Sequence, residues 1–371
     1  MKNATSPLRY DGLDVVRAGA MLLGVCYHAA YAYVPDIGRW YFVTDVASSP
    51  GFLTLVGVLH AFRMQLFFSL AGFFAHLVLE RRGPRGFLVD RSRRLMVPFA
   101  FALPLMLTAD VLVRRWSLAE GVMSPDFPAQ GAVQWAPSHL WFLEYLFLFS
   151  VAAWGLARVG WEGQRAARWL SLALRVPEVL LLAAAPLGLA LMQWGEVKPA
   201  LSFLPEPHAL FHYGAFFALG WVLWLARDAV EVLVRRGWWM AAVGLALAWY
   251  VFSRPLQWQP WGHFLGGVVP VLVTVGCLGL AFRVPPATRP WLRFLVESSY
   301  WVYLVHFPVV LALQVLVAKW AWPAGLKYAL VVGATFALAF ASFRLLVYRS
   351  GLGPWLGVKP APKLDEGRAP G

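Results

Sequence analysis

Arg17 and His28 stand on either side of ten residues, AGAMLLGVCY, that carry no charge. Eleven helical steps of about 100° bring the second side chain to roughly 20° past three full turns. Both therefore share one helix face, about 16 Å apart along the axis. An arginine at a membrane boundary can clamp phosphate or orient a carboxylate. A histidine shielded from water can serve as a neutral general base towards a hydroxyl. The plainer alternative has Arg17 snorkelling to headgroups and His28 hydrogen-bonding a neighbouring helix. Asp14, one turn before Arg17, is placed to orient or neutralise it.

Further polar groups sit in apolar surroundings. Arg63, within HAFRMQLFF, needs a partner, and Glu144, one turn beyond His139 in HLWFLEYLF, is a candidate. The segment ERRGPRGFLVDRSRRLMVP holds Arg91 and Arg94 on one helical face, with Arg93 displaced from it. Such arginines either anchor the chain at headgroups or hold the phosphates of a nucleotide-bearing donor. No Walker or dinucleotide fingerprint is present, so ATP and NAD have no support. In ESSYWVYLVHF, Ser299, Tyr303 and His306 recur along one face. Two helical turns, about 10 Å, separate Ser299 from His306, too far for a nucleophile–base pair, so this stripe reads as packing or cavity lining. Cys26 and Cys277 lack metal-ligand spacing and read as buried thiols, so neither a metal nor a disulfide framework is expected.

The elements that must position these groups are transmembrane helices. Hydrophobic residues make up 60% of the 371 positions and charged residues 14%, against roughly a quarter charged in soluble domains. A net charge of +13 invites a nucleic-acid reading, but the basic residues cluster in short loops between apolar runs, which fits membrane orientation. Hydrophobicity recurs along the whole chain and no A-x-A-like site follows the first segment, so a cleaved signal is not expected. Spans of about 20 residues are predicted near 12–34, 52–79, 97–113, 139–157, 177–194, 208–226, 238–253, 262–282, 296–318 and 325–348. The fold class is thus an all-α, polytopic membrane protein of about ten helices. Residues 1–350 form the membrane domain and 351–371 a polar cytoplasmic tail, predicted disordered.

With the N-terminus inside, 22 of the 32 Lys and Arg fall on inner segments, seven on outer ones and three within spans. This bias places both termini in the cytoplasm. His60, His139, His208, His212, His263, Asp110 and Glu144 then map to the outer side, His306 near the midplane and His76 to the inner boundary. Anion binding inside and proton handling outside is the polarity a transmembrane group-transfer enzyme needs. Arg63, His60, His139, Glu144 and His306 are the expected cavity residues.

Together these segments resemble the membrane acyltransferase-3 family, over most of residues 8–350. The resemblance is carried by Arg17 and His28 at the R-x10-H spacing, RMQLFFSLAGFF, DRSRRLMVP, HLWFLEYLF and SSYWVYLVHFP. It is nearest to the glucan-modifying branch, although Ser69-Leu70-Ala71-Gly72 departs from that branch's usual serine-glycine pair. The resemblance implies a cell inner-membrane enzyme with acyl-CoA as cytoplasmic donor and a carbohydrate hydroxyl as acceptor on the far side. For the glucan branch the acyl group would be succinyl. His28 would be the catalytic histidine, Arg17 would help hold the donor or acyl group, and Arg91 and Arg94, with Arg93 beside them, would bind the donor. No permanently bound cofactor is implied. The competing expectation is a transporter or flippase for a sugar or lipid-linked glycan, which the lack of an internal repeat disfavours.

Overall fold

The computed structural model describes residues 11–127, 137–161, 163–175, 184–191, 203–226, 230–254, 256, 259–284, 289–348 and 353. Ten named helices carry the fold: α1 (Asp11–Ala30), α2 (Pro50–Arg91), α3 (Val97–Ala119), α4 (Trp141–Arg158), α5 (Gln164–Arg175), α6 (Pro207–Leu225), α7 (Val230–Phe252), α8 (Pro260–Ala281), α9 (Pro290–Val317) and α10 (Ala324–Ser342). Among the described residues there is no strand, only an isolated antiparallel bridge between Val43 and Met123. Four helices start alike: Ser49, Glu206, Gln259 and Arg289 are extended, and a proline opens the first turn. Proline fits there because its missing N–H has no helical partner and it biases the preceding residue away from the helical region.

Among the described residues, seven helices are long and apolar enough to cross a membrane: Gly12–Tyr33, Pro50–Ala119, Ser138–Arg158, Pro207–Leu225, Pro260–Ala281, Pro290–Val317 and Ala324–Val347. The protein is accordingly a multi-pass, all-helical membrane protein. The second stretch, of 70 residues, contains two of the predicted spans. Drawn straight it would measure about 105 Å, more than three times the hydrocarbon layer of about 30 Å. It turns at Gly83, whose φ of 67° only glycine adopts at no steric cost, and again through the π-helical Ser92–Met96. Both its ends meet the same segment. Ser49 N–H donates to Tyr33 O before α2, and Ser124 N–H donates to Phe42 O after α3. Helices α2 and α3 are therefore two crossings. The predicted fifth span, 177–194, lies mostly outside the described residues. The predicted seventh corresponds to α7, which bears Arg235 and Arg236 and is not among the seven.

In lipid, helices gain little from burying apolar side chains against each other, and small residues let backbones approach instead. A methyl on Gly72 would collide with Phe217 O, and one on Gly220 with Ser69 O, so α2 and α6 cross backbone to backbone. The Ser69–Gly72 step thus serves packing. Gly237, Gly276 and Gly279 do the same between α7 and α8.

Helix α1 packs against α2, α8, α9 and α10. Over its C-terminal end, residues 31–49 and 120–127 form a roof. Tyr41 OH donates to Gln314 Oε1 (2.7 Å), and Gln314 Nε2 donates to His28 O and Ala29 O. Asp45 and Lys327 make an ion pair of 2.6 Å with side chains 1% and 0% exposed. Burial raises the Asp45 carboxyl above its ordinary range, opposed by its bonds from Lys327 and the Ala47 N–H.

Candidate active site

The spacing on α1 sets the site's axis. At the N-terminal end Arg17 pairs with Asp14 at 2.9 Å, as the spacing suggested, and its guanidinium stacks 5.4 Å from the Phe74 ring. The turn between α2 and α3 brings more arginines here. Arg82 (3.0 Å), Arg91 (3.4 Å) and Arg94 (3.1 Å) all converge on Asp90, which is buried. Arg17 is near enough for its charge to act on Arg91. Tyr300 OH, from α9, donates to Arg94 O and ties the turn to the bundle. Arg93 is exposed and makes no ion pair among the described residues. The result is a cluster of cations around one carboxylate, several of them reachable by solvent. A polyanion can displace Asp90 from such a cluster with favourable charge-assisted bonds.

At the other end, three histidines meet. The His28 ring lies 5.3 Å from that of His306, and His306 lies 5.2 Å from His139. Phe307 packs edge-on against His28. His306 Nδ1 faces the carbonyls of Tyr303 (2.8 Å) and Val302 (3.1 Å), so Nδ1 carries the proton and the buried Nε2 presents a lone pair. Tyr303 OH donates to His139 O, which fixes α9 against the start of α4. Among the described residues no group of three or more His, Cys, Asp or Glu is arranged to hold a metal ion.

Arg63 enters this chamber from α2. Its guanidinium sits 4.7 Å over the Tyr27 ring, and no ion pair among the described residues joins it to Glu144. Glu144 instead keeps a buried Oε2 without a hydrogen-bond partner. The arginine's partner is therefore an aromatic face, which attracts a cation without neutralising it. Gly24, one turn before His28, makes the room: a methyl there would stand 2.6 Å from Arg63 Nη1 and 3.7 Å from His306 Nε2. Tyr27 OH bonds Tyr31 OH (2.6 Å) and His60 Nδ1 (3.1 Å), so His60 joins the chamber wall. His212, bonded to Gln65 (3.0 Å), and His208, paired with Glu206 (2.8 Å), lie on α6 beyond it.

The structure thus assembles the sequence-predicted residues into two groups at opposite ends of α1. Arg17, Arg91 and Arg94 stand at one end, His28, His306, His139, Arg63 and His60 at the other, with Glu144 and Arg93 outside both. Sequence reasoning missed Gly24, Tyr27, Asp90 and Gln314. Gly24 does carry a signal, since it falls four residues before His28 and so on the same face. Gln314 carries another, as an amide inside an apolar span.

Comparison with known proteins identifies a family and relatives. Residues 10–344 match a family model described as an acyltransferase domain, of the acyltransferase-3 type. The chain is similar to proteins named glucans biosynthesis protein C from Salmonella heidelberg strain SL476, Salmonella typhi and Salmonella typhimurium strain LT2. Each is 24% identical over 337 residues, covering 84% of this chain and 84% of the relative. No solved structure matches.

Proposed function

Because the chain belongs to the acyltransferase-3 family and is accordingly an acyltransferase of groups other than aminoacyl, we propose that it moves an acyl group from cytoplasmic acyl-CoA to a hydroxyl of an extracytoplasmic glycan. The observation that carries this reading is the placement of two unlike polar clusters at the ends of α1. Solvent-reachable arginines suit the phosphates of CoA, and an enclosed histidine group suits proton transfer. The arginine end faces the cytoplasm of a cell inner membrane in this reading, with ten spans and both termini inside. The bias of Lys and Arg towards alternate loops supports that orientation. The glucan-modifying branch supplies succinyl as the acyl group and a periplasmic glucan as the acceptor.

In this mechanism the donor's phosphates replace Asp90 on Arg91 and Arg94, and Arg17 steers the arm that runs along α1. The thioester reaches His28 about 16 Å further along the axis. His28 accepts the proton of the incoming hydroxyl, or first takes the acyl group itself, and either route releases free CoA. Base catalysis of this kind contributes roughly 10²- to 10⁴-fold.

The test uses purified protein, a panel of short-chain acyl-CoAs and detection of free thiol, with and without added glucan. Glucan-dependent thiol release by the wild type, abolished in His28→Ala, is the expected result. Full transfer by a folded His28→Ala protein would remove His28 from the mechanism. No release with any donor would instead favour transport, since a transporter makes no free CoA.

A further inference from the structure

The chamber contains a cation that no carboxylate among the described residues neutralises. Arg63 is 9% exposed, deep within the apolar α2, and its guanidinium keeps its charge at any working pH. A charge at that depth is costly and is retained where it has work to do. The titratable groups near enough to interact with its charge are the phenols of Tyr27, Tyr31, Tyr213 and Tyr303 and the imidazoles of His28, His139 and His306, with no carboxylate among them. The Tyr27 ring holds the guanidinium in place while leaving its positive field intact.

Several other polar groups of the chamber have their hydrogens committed, although His139 keeps both ring nitrogens buried without a hydrogen-bond partner. His306 uses Nδ1–H on backbone carbonyls and offers only a lone pair at Nε2. Tyr303 OH is spent on His139 O. Tyr27 and Tyr31 are bonded to each other, and Tyr27 also to His60. Arg63 is the cationic group with an unpartnered buried N–H, at Nε, and its Nη1 rests against the bare face of Gly24, one turn from His28.

We infer that Arg63 is a catalytic residue whose guanidinium donates to the oxyanion formed on the donor's carbonyl. The inference rests on the acyl transfer proposed above. As the acceptor oxygen bonds to the carbonyl carbon, His28 takes its proton and the carbonyl electron pair moves onto oxygen. Arg63 N–H groups meet that negative charge. On collapse the C=O bond re-forms, the C–S bond breaks, and the sulfur leaves as thiolate to take the proton back from the His28 imidazolium. Ester and free thiol result, with no further reagent. A positioned donor in a water-poor site acts on the transition state far more strongly than in bulk water, because the dielectric is low and the dipoles are already aligned. Gly24 is what admits the guanidinium to α1.

The experiment measures kcat and KM for acyl-CoA by thiol release in wild type, Arg63→Gln, Arg63→Lys and Gly24→Ala, with melting temperature alongside. Arg63→Gln is expected to lower kcat by about 10²- to 10³-fold with KM unchanged, and Arg63→Lys to recover part of it. Gly24→Ala inserts a better helix former, so the melting temperature holds or rises. Its methyl nevertheless displaces Nη1, and kcat falls by about tenfold to a hundredfold. This second variant decides the matter should Arg63→Gln fail to fold. Wild-type kcat in Gly24→Ala or in folded Arg63→Gln overturns the assignment while leaving acyl transfer standing. A rise in KM at constant kcat overturns it too, by placing Arg63 in ground-state binding. A wild type that releases no thiol defeats the acyl-transfer reading itself, and the role of Arg63 with it.

Discussion

The two ends of α1 solve the problem of holding positive charge in opposite ways. At the Arg17 end, cations come with carboxylates: Asp14 holds Arg17, and Asp90 holds Arg82, Arg91 and Arg94. At the His28 end, Arg63 has an aromatic face and the phenols around it, and the histidines touch rings and carbonyls. Exposure differs in step, since the Arg94 and Arg82 side chains are 53% and 56% exposed while His306 is 1% exposed. A charge already paired in water can trade its partner for a ligand at little net cost, which suits capture and release. A charge left unpaired in a dry chamber cannot be traded and acts on whatever negative charge develops beside it. The difference separates binding from chemistry.

The largest effect expected of that division is at His28. His28→Ala should lower kcat for acyl transfer by about 10²- to 10⁴-fold with little change in KM for the donor. A comparable change in KM would break the division, because it would put donor binding at both ends. Next is the roof over the histidine end. Lys327→Met strands the Asp45 carboxylate in a buried site and should cost about 3–5 kcal/mol, read as a fall in melting temperature in detergent. Replacing both partners by apolar residues should return much of that stability, because the desolvation cost of two charges disappears. The arginine end answers differently. Arg91→Gln with Arg94→Gln should raise KM for acyl-CoA by about 10- to 100-fold at nearly constant kcat, each charge-assisted bond contributing roughly 1.5–3 kcal/mol before non-additivity. High salt should blunt the part of the difference due to Arg94, which is 53% exposed, more than the part due to Arg91, which is 13% exposed. The smallest effect sharpens the contrast: Arg93→Gln, which leaves the Asp90 cluster intact, should keep both constants near wild type.

Much of this was legible from the chain alone, because a helix converts spacing into direction. Arg17 and His28 could be placed on one face, Asp14 beside Arg17, and Arg93 off the face of Arg91 and Arg94, by counting residues. Apolar runs of about 20 residues located most of the helices. What spacing cannot supply is a partner on another helix. Glu144 was a reasonable counter-ion for Arg63 by chemistry, but tertiary packing puts the ring of Tyr27 there instead. The gathering of three arginines on Asp90 depends on the reversal at Gly83 and Ser92–Met96, which turns a local sequence into a cluster. The joining of His28, His139 and His306 draws on α1, α4 and α9, and no periodicity within one helix announces it.

The Asp45–Lys327 pair joins residues 282 positions apart in the chain. When Asp45 emerges during synthesis its counter-ion has not been made, and at about 5–20 residues per second it waits on the order of 15 to 55 seconds. Until α10 is inserted the roof has no buried cation to close on, so the chamber stays open while most of the bundle is already in the bilayer. Closure therefore reports completion: a chain truncated before Lys327 would keep Arg17 and His28 yet expose an unpaired carboxylate above them, a feature by which quality-control proteases could tell unfinished copies from finished ones.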